Sequence, residues 1–339
     1  MQTEAKPGRA PSWYPGTKVF ETPLRLKAIG QLVNTLLPWV GLIVTSAVLW
    51  SYGAPWYLVL LAALVAGLFQ IRAFIIFHDC THHSFWSSRK ANFFWGALTG
   101  ILTFTPYGSW RRSHGNHHAH AGNLDRRGFG DVWTMTLTEY RNATKRTRAF
   151  YRLYRNPLFM FLVSPPLLFL VLHRLPEKGA GRAELLGSLS TTLGSAFWVL
   201  LLGVLAGWDF VLLFGLPMVY VATLGGVWMF YVQHQFDPAY WEREERWNLF
   251  DAALQGSSYY KLPRLLQWFS GNIGFHHIHH LRPRIANYRL EECYLAVKEL
   301  QVPNPLTIRA SLQGMFLHLW DESSQRLLSF RQAARMAIT

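Results

Sequence analysis

Four long apolar runs constrain the fold of this 339-residue chain more than any other feature. They cover residues 34–50, 55–77, 190–208 and 210–232. A helix of roughly 20 residues crosses the ~30 Å hydrocarbon core of a bilayer, because each residue adds about 1.5 Å. The links within each pair of runs are short, so paired helices are expected to be antiparallel. The sequence therefore predicts two transmembrane helical hairpins with four spans.

The basic residues avoid these runs. No Lys or Arg occurs between Lys27 and Arg72, or between Arg182 and Arg243, although the formal net charge is +14. The positive charge thus flanks apolar segments, which argues for a membrane surface and against a nucleic-acid partner. By the positive-inside rule, both termini and the long polar segments are predicted to be cytosolic, at the inner (plasma) membrane in a bacterium.

The predicted fold is an all-α integral membrane protein with a cytosolic helical cap. Its parts are an N-terminal tail (1–31), a first hairpin (32–77), a cytosolic or interfacial region (78–189), a second hairpin (190–232) and a cytosolic C-terminal region (233–339). Two shorter apolar stretches, 91–107 and 156–172, are predicted to be re-entrant or interfacial, and Pro165-Pro166 disfavours a straight helix in the second. Residues 141–155 mix basic and aromatic side chains, as do helices that lie on an anionic leaflet.

Histidines gather in three short segments, HDCTHH (78–83), HGNHHAH (114–120) and GNIGFHHIHH (271–280). Residues at i, i+3 and i+4 share one face of a helix. Eight histidines have this spacing and could be presented together: His78, His82, His114, His117, His118, His276, His279 and His280. His173 and His318 lie outside the segments and are predicted to be ordinary surface residues.

This repeated chelate spacing predicts a metal site and not a histidine-rich tract or a pH sensor. Eight imidazoles are too many for one zinc ion, which takes four ligands, and suit two metal ions. The HExxH motif of zinc peptidases and the Glu-x-x-His motif of carboxylate di-iron bundles are both absent from the sequence. Imidazole suits iron, copper, zinc and nickel alike, so the residue types leave the metal open.

A membrane metal transporter or sensor is the alternative that is not an enzyme. Transport across the bilayer predicts ionisable residues deep within the spans, because ions need polar partners there. The four apolar runs contain essentially none apart from Arg72, which lies near the end of the second run. The sequence therefore favours an enzyme over a transporter.

Four strings in this order resemble the membrane-bound fatty acid desaturases, and most of all their omega-6 (delta-12) branch. They are HDCTHHSF, WRRSHGNHHAHAGNLD, VQHQF and GNIGFHHIHHLRPRIANYRL, which match the three histidine boxes of that family around a membrane hairpin. The resemblance implies a pair of iron ions. It implies nine ligands: His78, His82, His114, His117, His118, His234, His276, His279 and His280.

Several other residues are secondary candidates. His83 could replace His82 as a ligand, and Asn272 could act through a bound water. Carboxylates such as Asp79, Asp125 and Asp131 could accept an imidazole N–H and fix the ring orientation. His120 and His277 fall outside the chelate pattern and are predicted to lie behind the ligands or at the surface. Met229, Phe230 and Tyr231 precede His234 and are candidates to line a substrate tunnel.

The resemblance implies an O2-dependent enzyme that introduces a cis double bond into a long acyl chain. No cytochrome b5-like segment, iron–sulfur cysteine set or Gly-rich dinucleotide loop occurs in the sequence. We therefore expect electrons from a separate ferredoxin or cytochrome b5-type donor with its reductase. The acyl chain could be carried by a membrane lipid, an acyl-carrier protein or coenzyme A. Fatty acid hydroxylases, alkane monooxygenases and carotenoid ketolases or hydroxylases share such boxes and remain alternatives.

Overall fold

The computed structural model describes residues 10–128, 130–176 and 179–336. Helices dominate these residues. The α-helices are α1 (Arg25–Ser51), α2 (Trp56–Thr81), α3 (Arg89–Leu102), α4 (Tyr107–His120), α5 (Leu137–Asn142), α6 (Lys145–Tyr154), α7 (Ser164–Leu170), α8 (Arg182–Ala206), α9 (Trp208–Phe210), α10 (Leu216–His234), α11 (Leu249–Gln255), α12 (Arg264–Phe269), α13 (His276–Leu281), α14 (Asn287–Ala296), α15 (Ile308–Gly314) and α16 (Phe330–Arg335). Shorter 3-10 helices cover Tyr14–Glu21, Leu172–Arg174 and Lys298–Leu300, and π-helical turns cover Phe159–Val163 and Val211–Gly215.

Four helical stretches are long and apolar enough to cross a membrane, as predicted. They are α1, α2, α8 and the continuous stretch Trp208–His234, which joins α9 to α10 through the π-helical turn. Each of the four extends past its apolar run on the side of the histidines. As a result, His78 and His234 lie on the last turns of spanning helices and not in loops that follow them.

Helix α2 is the centre of the arrangement, and it packs against α1, α3 and α10. The α2–α10 contact is close because Gly67 has no side chain. A Cβ atom at that position would lie 2.8 Å from the carbonyl oxygen of Met218. At the end of the spans away from the histidines, the indole nitrogen of Trp50 donates to a carboxylate oxygen of Asp209 at 2.8 Å. This bond joins the two hairpins at their turns.

The two shorter apolar stretches do not form straight spans. Residues 91–107 divide between α3 and the start of α4. Residues 156–172 contain a π-helical turn and α7, and Pro165-Pro166 lies in the first turn of α7, where missing N–H donors cost least. The segment from Phe159 to Arg174 meets α6 at 58°, so a fifth crossing arises only if this bent pair counts as one span.

The cap contains a small sheet, so the prediction of a purely helical fold is correct only in its main feature. Strand β2 (Leu319–Asp321) pairs in parallel with β1 (Met135–Thr136) and antiparallel with β3 (Arg326–Leu328). Alternation in such short strands covers too few residues to be recognised in sequence. The sheet attaches the C-terminal region to the segment that follows the second histidine box.

The described part of the N-terminal region is not a free tail. Thr17 and Phe20 are buried in the 3-10 helix Tyr14–Glu21. The Arg282 guanidinium donates to Thr17 Oγ1 and to Glu21 Oε1, each at 2.6 Å. Because Arg282 directly follows α13, this contact packs the N-terminal segment against the third histidine box.

A buried arginine, Arg155, joins three parts of the cap. Its side chain is 1% exposed and donates to the carbonyl oxygens of Trp133 (3.1 Å) and Leu317 (2.7 Å). It also donates to Gln235 Oε1 at 2.9 Å and to the Tyr231 hydroxyl at 3.3 Å. These acceptors come from the segment before β1, the segment before β2 and the end of α10, so one guanidinium links distant parts of the chain.

Replacing Arg155 with Met should destabilise the cap strongly. Several buried acceptors would lose a charged donor, and each such bond contributes about 1.5–3 kcal/mol. We expect the free energy of unfolding to fall by about 3 kcal/mol or more, measured by denaturation of detergent-solubilised protein. Arg146→Met is the control, because Arg146 is exposed on α6 and its loss should change stability by less than about 0.5 kcal/mol. Equal effects of the two substitutions would contradict the linking role of Arg155.

Candidate metal centre

Nine histidines converge in two adjacent groups, in which the available ligand atoms lie within 4.8 Å of one another. The first, the five-histidine group, contains His78, His82, His114, His118 and His279. The second, the four-histidine group, contains His117, His234, His276 and His280. These are the nine residues that the sequence singled out, so the structure brings all of them to one place.

Each histidine box after the first contributes to both groups. Helix α4 directs His114 and His118 into the five-histidine group and His117 into the four-histidine group. Helix α13 sends His279 to the former and His276 and His280 to the latter. Neighbouring residues on a helix point about 100° apart, so adjacent histidines diverge. The second and third boxes are therefore each shared between two sites, whereas the i, i+3, i+4 spacing alone predicted one common face.

The surroundings of the ring nitrogens in His117 and His234 indicate that the four-histidine group is suited to a cation. The Nδ1 atom of His234 lies 3.0 Å from the carbonyl oxygen of Gly256, and Nδ1 of His117 contacts a carboxylate oxygen of Asp131. Both partners only accept, so each neutral ring carries its proton on Nδ1 and a lone pair on Nε2. The two Nε2 atoms nevertheless lie only 3.1 Å apart. A shared cation would satisfy both lone pairs.

The same arrangement recurs in the five-histidine group. His78 Nδ1 lies 3.0 Å from a carboxylate oxygen of Asp79, which places the lone pair of the neutral ring on Nε2. That Nε2 atom is 3.0 Å from His114 Nε2, which in turn is 3.1 Å from His118 Nε2. Nitrogen atoms of several rings thus face a common point. The donor set fits a metal ion in both groups.

Burial keeps the imidazoles in the neutral form that binds metal. Removal from water lowers the pKa values of six rings well below the ordinary value, and neighbouring imidazoles lower them further. These rings are His82, His114, His118, His276, His279 and His280. A histidine with a depressed pKa is neutral near neutral pH, so its lone pair is available without release of a proton.

Two of the three proposed carboxylates hold histidine rings. Asp79 contacts His78 and also accepts from Asn287, through the backbone nitrogen at 2.6 Å and Nδ2 at 2.8 Å. Asp131 contacts His117. The prediction for Asp125 was wrong, because its side chain pairs with Arg243 at 2.7 Å on the surface of the cap. The surface ion pair lowers the pKa of Asp125 through hydrogen bonds from the Glu244 backbone and Arg243.

Asn287 and the Gly256 carbonyl were not identified from the sequence. Asn287 is a single asparagine after the third box, and a lone asparagine carries no functional signal in the sequence. A backbone carbonyl such as that of Gly256 has no signal in sequence at all. Trp110 was also missed, although its ring stacks on His114 at 4.1 Å, one turn earlier on α4.

The secondary candidates lie outside both groups. His83 follows the end of α2 with a φ of 56° and belongs to neither histidine group. Asn272 lies within 3.5 Å of the Asn287 carbonyl oxygen. His277 is fully buried and contacts the carbonyl oxygen of Leu300 at 2.9 Å, so it is a core residue and not a surface one. His120 contacts the carbonyl oxygen of Asn116 in its own helix.

The three tunnel candidates point to different surroundings. The Phe230 ring lies 5.0 Å from the His117 ring, beside the four-histidine group. Met229 packs in two hydrophobic clusters of the cap. The Tyr231 hydroxyl donates to the carbonyl oxygen of Gly314 at 3.1 Å, among the polar contacts around Arg155. Of the three, Phe230 alone contacts the proposed ligands directly.

The two histidines predicted to lie on the surface are both at least partly buried. His318 is 6% exposed and its ring stacks on Phe330 at 4.3 Å. Burial there lowers the pKa of His318 to about 3. His173 packs against Phe169 at 4.9 Å, and burial lowers its pKa to about 4. An isolated histidine in sequence gives no sign of the aromatic partners that bury it.

Comparison with known proteins agrees with this site. The sequence profile of the family described as fatty acid desaturase matches residues 54–311, which include all nine histidines. A protein named fatty acid desaturase from Bacillus subtilis is 41% identical over 320 residues, covering 94% of this chain and 90% of the relative. The chain belongs to the fatty acid desaturase family. This desaturase is therefore an oxidoreductase and, with its four candidate spans, a membrane protein.

More distant relatives are named for particular lipids. One from Synechocystis, an sn-1 acyl-lipid omega-3 desaturase (ferredoxin), is 29% identical and covers 77% of this chain and 73% of its own. Another from Picosynechococcus, an sn-1 oleoyl-lipid 12-desaturase, is 26% identical and covers 79% of this chain and 78% of its own. Because relatives with two different bond positions match comparably, these names do not fix the position in this desaturase.

Substitution of His82 should change the metal content, whereas substitution of His83 should not. Of these two residues only His82 lies in the five-histidine group, so His82→Ala should weaken metal binding by more than about tenfold and His83→Ala should leave it unchanged. The measurement is iron per protein after purification from iron-replete medium. The reverse pattern would make His83 the ligand and contradict the geometry.

Substitution of Asp79 or Asp131, which contact histidine rings, should lower metal affinity, whereas substitution of Asp125 should not. Asp79→Asn and Asp131→Asn replace the carboxyl group behind a histidine ring with an amide, and we expect metal affinity to fall about 10–100-fold. Asp125→Asn is the matched control, because Asp125 pairs with Arg243 and contacts neither group. Affinity can be measured by competition with a chelator. An equal loss in all three variants would show a general effect on folding.

Proposed function

We propose that this desaturase is an O2-dependent di-iron enzyme that introduces a cis double bond into long acyl chains of membrane lipids, at the omega-6 position. The carrying observation is the convergence of unprotonated imidazole nitrogens, in particular His117 Nε2 and His234 Nε2 at 3.1 Å. The five-histidine group would hold one iron ion and the four-histidine group the other. Bound iron would supply the redox chemistry that activates O2.

The electron balance requires a separate donor. Removing hydrogen from two adjacent methylenes supplies two electrons, whereas reduction of O2 to two waters takes four. The other two electrons and two protons must come from outside the acyl chain. We propose a ferredoxin with its reductase, and a cytochrome b5-type donor is the alternative. The ferredoxin named for the Synechocystis relative and the +14 net charge of this chain, which suits an acidic partner, support the first choice.

The proposed orientation puts both termini and the metal centre in the cytosol. The supporting observation is that Arg25, Thr81, Arg182 and His234 end the four spans on the side of the metal centre, and that basic residues are concentrated there. This orientation gives a cytosolic electron donor access to the histidine groups.

Hydroxylation is the competing reaction, because ligands of this kind do not distinguish it from desaturation. Fatty acid hydroxylases, alkane monooxygenases and carotenoid ketolases or hydroxylases would insert oxygen where a desaturase removes hydrogen. Metal transport is supported less well, since both histidine groups lie at one end of the spans and not along them.

Expression in a host that lacks polyunsaturated lipids tests the proposal, with a ferredoxin and reductase supplied. We expect acyl chains that are lighter by two hydrogens, with a cis double bond at the omega-6 position. His279→Ala should abolish the product, whereas His120→Ala, outside both groups, should retain it.

Different outcomes contradict different parts of the proposal. Products that have gained oxygen would make the protein a hydroxylase. A double bond elsewhere along the chain would overturn only the omega-6 assignment. An unchanged lipid profile with active donors present would contradict the desaturase activity itself.

A further inference from the structure

A groove of about 970 Å³ opens between α3, α4 and α8, beside the metal centre. Its volume is in the upper range of ligand-binding clefts in proteins. The lining includes His82 of the five-histidine group, so the groove reaches the proposed iron site. It also includes one face of α8, which is a spanning helix. The groove therefore connects the lipid-facing side of the protein with the metal centre.

The walls of the groove are mostly apolar and extended. Phe93, Ala97 and Ile101 line it from α3 at intervals of four residues, a length of roughly 12 Å at about 1.5 Å per residue. Leu186 lines it from α8. Phe93 and Leu186 are 60% and 53% exposed, so the walls present apolar surface with nothing from the described chain to cover it. A long narrow apolar surface of this kind fits an alkyl chain.

Two arginines line the otherwise mostly apolar groove. Arg111 and Arg112 line it from α4, and Arg112 pairs with Glu184 at 3.0 Å, which balances the charge of that carboxylate. Arg111 is exposed, and within the described residues its guanidinium has no carboxylate partner. An unpaired guanidinium on the lining of an apolar groove suits a phosphate group.

We propose that this groove admits one acyl chain of an anionic membrane lipid toward the five-histidine group, with Arg111 binding the phosphate of that lipid. The inference rests on the proposed desaturase function and specifies its substrate as a chain still attached to a phospholipid. One wall of the groove is on α8, a spanning helix, so the chain enters sideways from the membrane. A carrier protein or coenzyme A would approach from the aqueous side and would not need this opening.

The test uses the purified full-length protein, loaded with iron, in vesicles of phosphatidylglycerol or phosphatidylcholine with identical acyl chains. Ferredoxin, its reductase and NADPH supply electrons. We expect the wild type to convert chains of the anionic lipid faster. Arg111→Glu should lower that rate about tenfold and remove the preference, as expected for loss of a charge-assisted contact. Ala97→Trp should fill the groove and lower conversion of both lipids about tenfold.

Matched controls separate the groove from general effects. Arg146→Glu reverses an exposed charge on α6, and Ala196→Trp adds a ring to an exposed face of α8 outside the groove lining. Both controls should behave as the wild type. Ala97→Leu places a smaller side chain in the groove and replaces Ala97→Trp in the test if the tryptophan variant does not fold. Iron content and the thermal unfolding midpoint verify that each variant is intact, and native mass spectrometry measures retained phosphatidylglycerol.

The outcomes distinguish this inference from the proposed function. If the wild type converts no acyl chain with active donors, the proposed function fails. If the wild type is active but Arg111→Glu and Ala97→Leu match their controls, the groove is not the entry site. Loss of bound phosphatidylglycerol without loss of conversion would also overturn the inference, because the lipid there would not be the substrate. Conversion of acyl-coenzyme A or acyl-carrier protein in place of lipid would overturn it as well.

Discussion

The structure depends on one arrangement, in which the Nε2 lone pairs of neighbouring imidazoles face each other within the two histidine groups. Asp79, Asp131 and the Gly256 carbonyl lie behind the rings and accept hydrogen bonds from Nδ1–H groups, which leaves the Nε2 atoms directed inward. Such an arrangement is unfavourable without a cation, because the lone pairs repel and the rings are buried. The surrounding fold must therefore hold it in place. The first hairpin supplies His78 from the last turn of α2 and His82 directly after it, and the second supplies His234 from the end of α10. The cap supplies the other six rings from α4 and α13.

Contacts within the membrane hairpins and within the polar cap both hold the histidine-bearing segments in position. Close packing of α2 on α10 at Gly67 fixes the distance between the two spanning helices that carry ligands. On the cap side, Arg155 joins the end of α10 to the segments around the small sheet. The N-terminal segment packs against the residues after α13 through Arg282. The third box is thereby held against the first two, although about 160 residues or more separate them in sequence.

The proposed function depends on the same division between membrane and cap. The two histidine groups lie at one end of the spans, where the proposed electron donor would approach from water and the proposed lipid substrate from the membrane. The groove between α3, α4 and α8 approaches the five-histidine group from the lipid side, and Phe230 lies beside the four-histidine group. The two groups thus differ in surroundings as well as in the number of histidines.

The sequence by itself determined the four spans and eight of the nine histidines, because apolar length and i, i+3, i+4 spacing are local properties of a helix. The ninth, His234, followed only from the family resemblance. Tertiary structure decided how the boxes divide between two groups, since adjacent residues such as His117 and His118 point about 100° apart toward different neighbours. It also decided which polar groups stand behind the rings. Asp79 and Asp125 look alike in sequence, but one faces His78 and Asn287 while the other pairs with Arg243. Contacts across some 200 residues, as between Asp79 and Asn287, depend on how the hairpins bring the boxes together, which no local pattern encodes.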